Sequence, residues 1–195
     1  MKIIIDSKKR KTENILKKYP GAVIIDVTSN GTDEFSKLSP FYPIGEIPVP
    51  GMELKALCVE GIWQGLKVFE HYDWDEYYFR ISTKNIKRTV RKFGHVKGHF
   101  YEGELLGYVE ARKKIYLPAY QYVLENKMTE LIEKLREIAK HKTLVLLDYT
   151  TNESILNPAK PLSHAAVIKA AILMDYSILE KNSAIKNEST QGTLF

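Results

Sequence analysis

Cysteine is almost missing from this sequence. Cys58 stands alone among 195 residues, which excludes an intramolecular disulfide and a cysteine-built zinc cluster and fits a reducing compartment. Long apolar runs are missing too. No stretch reaches the roughly 18 apolar residues of a membrane helix, and the opening Ile3-Ile4-Ile5 is broken by Asp6, too early for a signal peptide's apolar region. These absences predict a cytoplasmic protein with no membrane partner. Internal repeats and low-complexity tracts are likewise absent. With 44% hydrophobic and 11% aromatic residues, disorder, collagen and coiled coil are excluded.

Charge is present in both signs and nearly balanced, with 29 Lys and Arg against 24 Asp and Glu. The sum of +5 identifies no partner, but its distribution is uneven. Residues 1–19 carry +5, 20–83 carry −6, 84–114 carry +6 and 115–195 are neutral. An acidic, aromatic block followed by a basic, glycine-punctuated one suits a site where carboxylates and cations face one substrate; two solvated faces are the plainer reading.

The predicted class is α+β: one compact domain over 1–181, mainly helical with a small sheet, and a polar tail over 182–195. Ile3–Ile5 and Val23–Val27 predict strands around a helix at Lys11–Tyr19. Four prolines between Pro40 and Pro50 predict an ordered loop carrying Phe41 and Tyr42. Val59, Ile62, Trp63, Leu66 and Phe69 follow the spacing of an amphipathic helix over Leu57–His71. A basic helix is predicted at Thr83–Phe93, a glycine-rich connection follows, and further helices are expected at Glu104–Ile115, Ala119–Glu125 and Met128–Lys140. Leu144–Asp148 reads as a buried strand, and Ser163 as the N-cap of a helix to Met174.

Several of these residues can carry chemistry. On the Leu57–His71 helix, Glu60, Gln64 and Lys67 share one stripe and Trp63 offers a flat face, a set able to hold a polyhydroxylated or charged ligand; exposed, the same charges would only be solvated. Lys84, Lys87, Arg88 and Arg91 would share a helical face suited to a diphosphate or a nucleic-acid backbone. His95 and His99 are four apart, but Gly94 and Gly98 argue against a helix and no third ligand is near, so no metal site is assigned. His99 is instead a candidate contact to phosphate or sugar hydroxyls. Asp148 ends its strand, with Asn152 beyond the turn, where site residues are often delivered. His164 is a further candidate at a helix start; adjacent residues on a helix diverge, so Ser163 and His164 cannot form a nucleophile and base pair by themselves.

The stretch Ser39-Pro40-Phe41-Tyr42-Pro43, then Val59-Glu60-Gly61-Ile62-Trp63-Gln64-Gly65-Leu66-Lys67 and Phe69, resembles the opening motif of the NADAR (YbiA-like) superfamily. The chain would be a divergent member, since Gly61 stands where the family usually has His and its closing Asp…Trp-Gly pattern is missing. The resemblance implies an N-glycosidase-type hydrolase acting on an ADP-ribosylated or nucleotide-like substrate, without metal or other cofactor. Breaking a C1′–N bond builds positive charge on the ribose, which a carboxylate stabilises. Glu60 is placed in that role, Lys67 at a phosphate or the departing base, and Phe41 or Trp63 against the base, with Asp148 as the second carboxylate. Two alternatives remain at this stage. One is a nucleic-acid-binding module using the basic segment and the aromatics of Tyr72–Phe79; the other is a nucleotide-binding protein that has lost catalysis.

Overall fold

The structure, a computed structural model, describes residues 1–82 and 86–181. The predicted helix start at Thr83, with Lys84, and the polar tail at 182–195 lie outside the described residues. In chain order, β1 (Ile3–Ser7), α1 (Thr12–Lys18) and β2 (Val23–Asp26) lead through a 3-10 turn at Glu34–Leu38 to β3 (Ile47–Pro48) and β4 (Lys55–Ala56). Next come α2 (Val59–Gly65), β5 (Lys67–Phe69), a 3-10 turn at Glu76–Arg80, α3 (Val90–Phe93), β6 (Val96–Tyr101) and β7 (Glu104–Leu106). α4 (Tyr108–Ala111), a π-helical segment at Arg112–Tyr116 and α5 (Leu117–Asn126) run on without a break. α6 (Thr129–His141), β8 (Leu144–Asp148), α7 (His164–Leu173) and α8 (Ile178–Lys181) follow. The fold is α+β. By contact clustering the described residues group into two compact units, Met1–Leu38 with the residues from Met128 onward, and Ser39–Lys127.

The first unit is organised by a three-stranded sheet of order β1-β8-β2, parallel throughout. Its central strand, Leu-Val-Leu-Leu-Asp, is buried along its whole length, as a continuous apolar run at the middle of a parallel sheet must be. α1 sets Ile15 against Val145 and Leu147, with Ile4, Tyr19, Ala22 and Ile24 around them. α7 packs on β1 and β8. Because the strands run the same way and in register, Asp6, Asp26 and Asp148 arrive together at the carboxyl edge.

In the second unit α2 is shorter than its apolar spacing predicts. It ends at Gly65 and the chain turns into β5, so Lys67 is a strand residue. Two glycines bring α2 close to the Glu76–Arg80 turn: a Cβ on Gly61 would lie 2.5 Å from the Tyr78 carbonyl oxygen, and one on Gly65 would lie 2.4 Å from the Phe79 ring. The glycine-rich connection after α3 is a hairpin. β5, β6 and β7 form an antiparallel sheet, and Glu102 and Gly103 both take positive φ in the two-residue turn, the twist that a tight hairpin requires. Thus Glu104–Leu106 is a strand rather than the start of a helix. Pro118 does not separate two helices either. It sits in the first turn of α5, just after the π-helical segment. There the wider turn spares the chain the hydrogen bond and the carbonyl contact that proline denies an α-helix.

Candidate active site

The Ser39–Phe69 motif folds onto itself within the second unit. The Glu60 backbone N–H donates to the Pro40 carbonyl at 2.8 Å, and the Phe41 N–H to the Ser39 hydroxyl at 3.3 Å, so the aromatic loop is laced to the first turn of α2. Phe41 and Tyr42 are half-buried, and the Lys87 ammonium lies 5.3 Å from the Phe41 ring centre. Cys58 caps α2 through its sulfur, which accepts from the Gly61 N–H at 3.3 Å. Burial pushes its thiol pKa up to about 11, so it is a protonated packing group rather than a nucleophile.

Glu60 and Gln64 are buried on α2, and Gln64 links Glu60 to Lys67. The amide Nε2 donates to Glu60 Oε1 at 2.7 Å, while Oε1 accepts from Lys67 Nζ and from the Arg88 backbone N–H, both at 3.0 Å. Two donors on one amide atom identify it as the oxygen, which fixes the orientation of the group. Burial pulls the Lys67 ammonium's pKa down; the nearby Glu60 opposes this, and Arg88 and Lys87 add to it. Arg88 does not join an exposed basic face. Its guanidinium turns inward to the carbonyls of Lys67 (2.7 Å) and Asp73 (2.9 Å), among the rings of Phe69, Tyr78 and Phe93. Arg91 is exposed on α3.

Beside this chain lies a pocket of about 250 Å³ lined by Lys67, Val96, Lys97, Gly98, His99 and Tyr108. His99 is 1% exposed and neither ring nitrogen completes a hydrogen bond. Burial, with Lys67 close by, pushes its pKa down to about 3 despite the adjacent Trp63 backbone, so the ring is neutral. A buried polar ring without partners is costly unless a ligand or water supplies them. The Trp63 ring lies 3.8 Å from that of His99, at 32°, and also touches Tyr108 and Tyr116. Arg112, at the start of the π-helical segment, is buried with its guanidinium 4.1 Å from the Tyr108 ring centre.

Asp148, Asn152 and His164 belong to the first unit. Asp148 is 2% exposed and its Oδ2 takes the Ser163 hydroxyl at 2.6 Å and His164 Nδ1 at 2.9 Å. The other imidazole nitrogen, Nε2, meets the Val27 carbonyl at 2.9 Å. Burial alone would raise the Asp148 carboxyl and lower the His164 imidazole, but their contact wins in both: Asp148 is lowered and His164 raised. Asp26 pairs with Lys8 and with the Thr28 hydroxyl, and Asp6 with Arg10 at 2.9 Å. Ser163 stands at the start of α7 as predicted, yet its hydroxyl serves Asp148 rather than the helix. Asn152 closes a loop, its amide nitrogen donating to the carbonyls of Ser154 and Lys160.

The sequence reading overlooked Lys97 and Tyr108 in the pocket and Asp26 at the carboxyl edge of the sheet. Asp26 was visible, since Ile24-Ile25-Asp26 ends in an acid just as Leu146-Leu147-Asp148 does. Tyr108 had no such sign. Among the described residues no three His, Cys, Asp or Glu side chains gather as a metal ion would need, and no helix is long and apolar enough to cross a membrane.

A family model, described as a family of unknown function (DUF6939), matches residues 7–168. The chain belongs to the DUF6939 family. No curated protein matches it. The matched span takes in both the Glu60–Gln64–Lys67 chain and the Asp148–His164 cluster of this DUF6939 protein.

Proposed function

We propose that this protein is a cytoplasmic hydrolase of N-glycosidic bonds, acting on an ADP-ribosylated or nucleotide-like substrate, as the likeness of its Ser39–Phe69 motif to the NADAR superfamily implies. The observation that carries the reading is the hydrogen-bonded chain Glu60–Gln64–Lys67 beside a pocket containing a partnerless, neutral His99. In this mechanism the Glu60 carboxylate stabilises the positive charge that develops at C1′ as the C1′–N bond breaks. Water attacks C1′. Lys67, its basicity lowered by burial, accepts the proton that water loses and returns it to the departing nitrogen. His99 donates to and accepts from the sugar hydroxyls, and Trp63 and Phe41 support the flat base.

The test is release of free base, followed by chromatography and mass spectrometry, from ADP-ribosylated guanosine and from nucleoside monophosphates. Glu60→Gln is expected to lower turnover by about 100-fold or more while leaving the circular dichroism spectrum unchanged. Absence of base release from every substrate with wild-type protein removes the reading. Exposed Lys87, Arg91 and Lys92 favour a second reading, nucleic-acid binding, which requires affinity that falls steeply with salt. Arg88, turned inward, adds nothing to that face.

A further inference from the structure

The pocket beside α2 carries charge of one sign. Its lining holds two lysines, Lys67 and Lys97, and no carboxylate. Lys67 is already engaged, its Nζ donating to Gln64 Oε1 at 3.0 Å. The Lys97 side chain makes no hydrogen bond or ion pair among the described residues, and Glu70, an acid close enough to feel its charge, instead receives the His95 backbone N–H at 3.0 Å. Lys97 owes its place to a break in the β5–β6 ladder. Lys67 stands opposite His99 and Val68 opposite Gly98, but Phe69 stands opposite Val96, so Lys97 is an extra residue with no counterpart on β5. A bulge of this kind bends the strand and re-aims a side chain, which is why bulges gather beside functional sites. Residues directly opposed in a sheet share a face, so Lys67 and His99 stand side by side at the same pocket. His99 is 1% exposed with both ring nitrogens unpartnered. Being neutral, it offers one donor and one acceptor. A bare anion can use the donor and not the acceptor, whereas a sugar hydroxyl can use either. A ligand that satisfies Lys97 and both imidazole nitrogens therefore carries hydroxyls as well as an anion.

We propose that Lys97 is a specificity-determining residue: it binds the phosphate of a phosphorylated sugar while His99 takes hydroxyls of the same sugar, so the pocket selects nucleotides over nucleosides. The size fits. At about 250 Å³ the pocket falls below the roughly 300–1,000 Å³ that encloses a drug-sized ligand, which suits a sugar phosphate rather than a whole dinucleotide. A phosphate monoester carries more than one negative charge at neutral pH, and its bond to an ammonium is of the strong, charge-assisted kind. Tyr108 lines the same space, with the Arg112 guanidinium 4.1 Å from its ring centre. The proposal deepens the hydrolase reading and rests on it for the identity of the whole substrate, but the preference for phosphate is measured by binding alone.

The experiment is calorimetric titration of the full chain with guanosine 5′-monophosphate and with guanosine, at one ionic strength. The monophosphate is expected to bind about tenfold more tightly than the nucleoside. Lys97→Gln, a change at an exposed position, is expected to abolish that advantage and leave the affinity for guanosine as it was. Lys127→Gln, exposed and outside the pocket lining, is expected to keep it. Equal affinity for the two ligands overturns the proposal, as does failure of both to bind or an unchanged preference in Lys97→Gln. An equal loss in Lys127→Gln overturns it too, because the attraction would then belong to the basic surface at large. Base release with the same kcat/KM from guanosine and from its monophosphate removes the phosphate site and leaves the hydrolase reading. Phosphate-dependent binding that Lys97→Gln abolishes, in a protein that releases no base from any substrate, sinks the hydrolase reading and leaves the site standing.

Discussion

The two units treat buried polar groups in opposite ways. At the carboxyl edge of the β1-β8-β2 sheet the charges are matched: Asp148 with His164 and Ser163, Asp26 with Lys8, Asp6 with Arg10. In the α2–β6 region Lys67 rests on an amide oxygen, Arg88 on carbonyls, and His99 on nothing. Matched burial is what stability alone produces, since an unpaired buried polar group costs free energy without return to the fold. Unmatched burial beside a pocket has to be explained by what enters the pocket. The contrast therefore ranks Lys67 and His99 above Asp148 and His164 as candidates for chemistry.

The largest expected effect breaks the matched side. Asp148→Ala strands the His164 imidazolium and the Ser163 hydroxyl, and leaving one member of a buried pair costs about 3–5 kcal/mol. Urea unfolding measures it. A loss under 1 kcal/mol would show that the matched cluster is not what holds β8, β2 and α7 together.

How much of this was legible in the sequence depends on the distance over which each feature is decided. The Leu144–Asp148 strand, the Ser163 helix start and the Glu60–Gln64–Lys67 grouping are local and can be read from spacing. The end of α2 at Gly65 was not, because apolar periodicity continues through Leu66 to Phe69 while the close approach of Phe79 to Gly65 belongs to tertiary packing. Arg88 was read as one of a basic run, and its inward turn depends on carbonyls and aromatic rings contributed by residues 64 to 93. The β6–β7 hairpin was hidden by its glycines: Gly98 looks like a flexible link, yet it fits where a Cβ would lie 2.5 Å from the Leu106 carbonyl oxygen.

Gly61 gives the next effect in size. Its Cβ would strike the Tyr78 backbone, which cannot swing aside as a flexible side chain can. Gly61→Ala is expected to cost about 1–3 kcal/mol in thermal or urea melts, and to reduce activity by displacing Glu60. A neutral result would mean that α2 has freedom against the Glu76–Arg80 turn, which would weaken the argument that Glu60 is rigidly placed.

The matched cluster also predicts a pH dependence. Nδ1 of His164 faces a carboxylate and Nε2 a carbonyl, both acceptors, so the ring must carry two protons. Folding raises the imidazole's pKa above its ordinary 6.5, so its contribution to stability is fully present below that value and disappears as pH rises through the raised one. Asp148, with its carboxyl lowered, loses its contribution only when acid protonates it in the folded state. Wild-type stability in urea melts is expected to fall as pH rises above 6.5, and His164→Gln should remove that loss; equal slopes in the two proteins would show that the ring is neutral.

The smallest stability effect is expected on the unmatched side, where it separates fold from function most sharply. His99 makes no hydrogen bond in the protein, so His99→Phe removes no polar contact and keeps a ring against Trp63 at 3.8 Å. Exchanging an unsatisfied polar group for an apolar one of similar shape is close to neutral, and a change within about 1 kcal/mol is expected in urea melts. Base release should nevertheless fall through a higher KM, because the pocket has lost both imidazole nitrogens, one a donor and the other an acceptor. A large destabilisation would show that His99 serves the fold after all, and an unchanged KM would show that the pocket it lines is not where substrate sits.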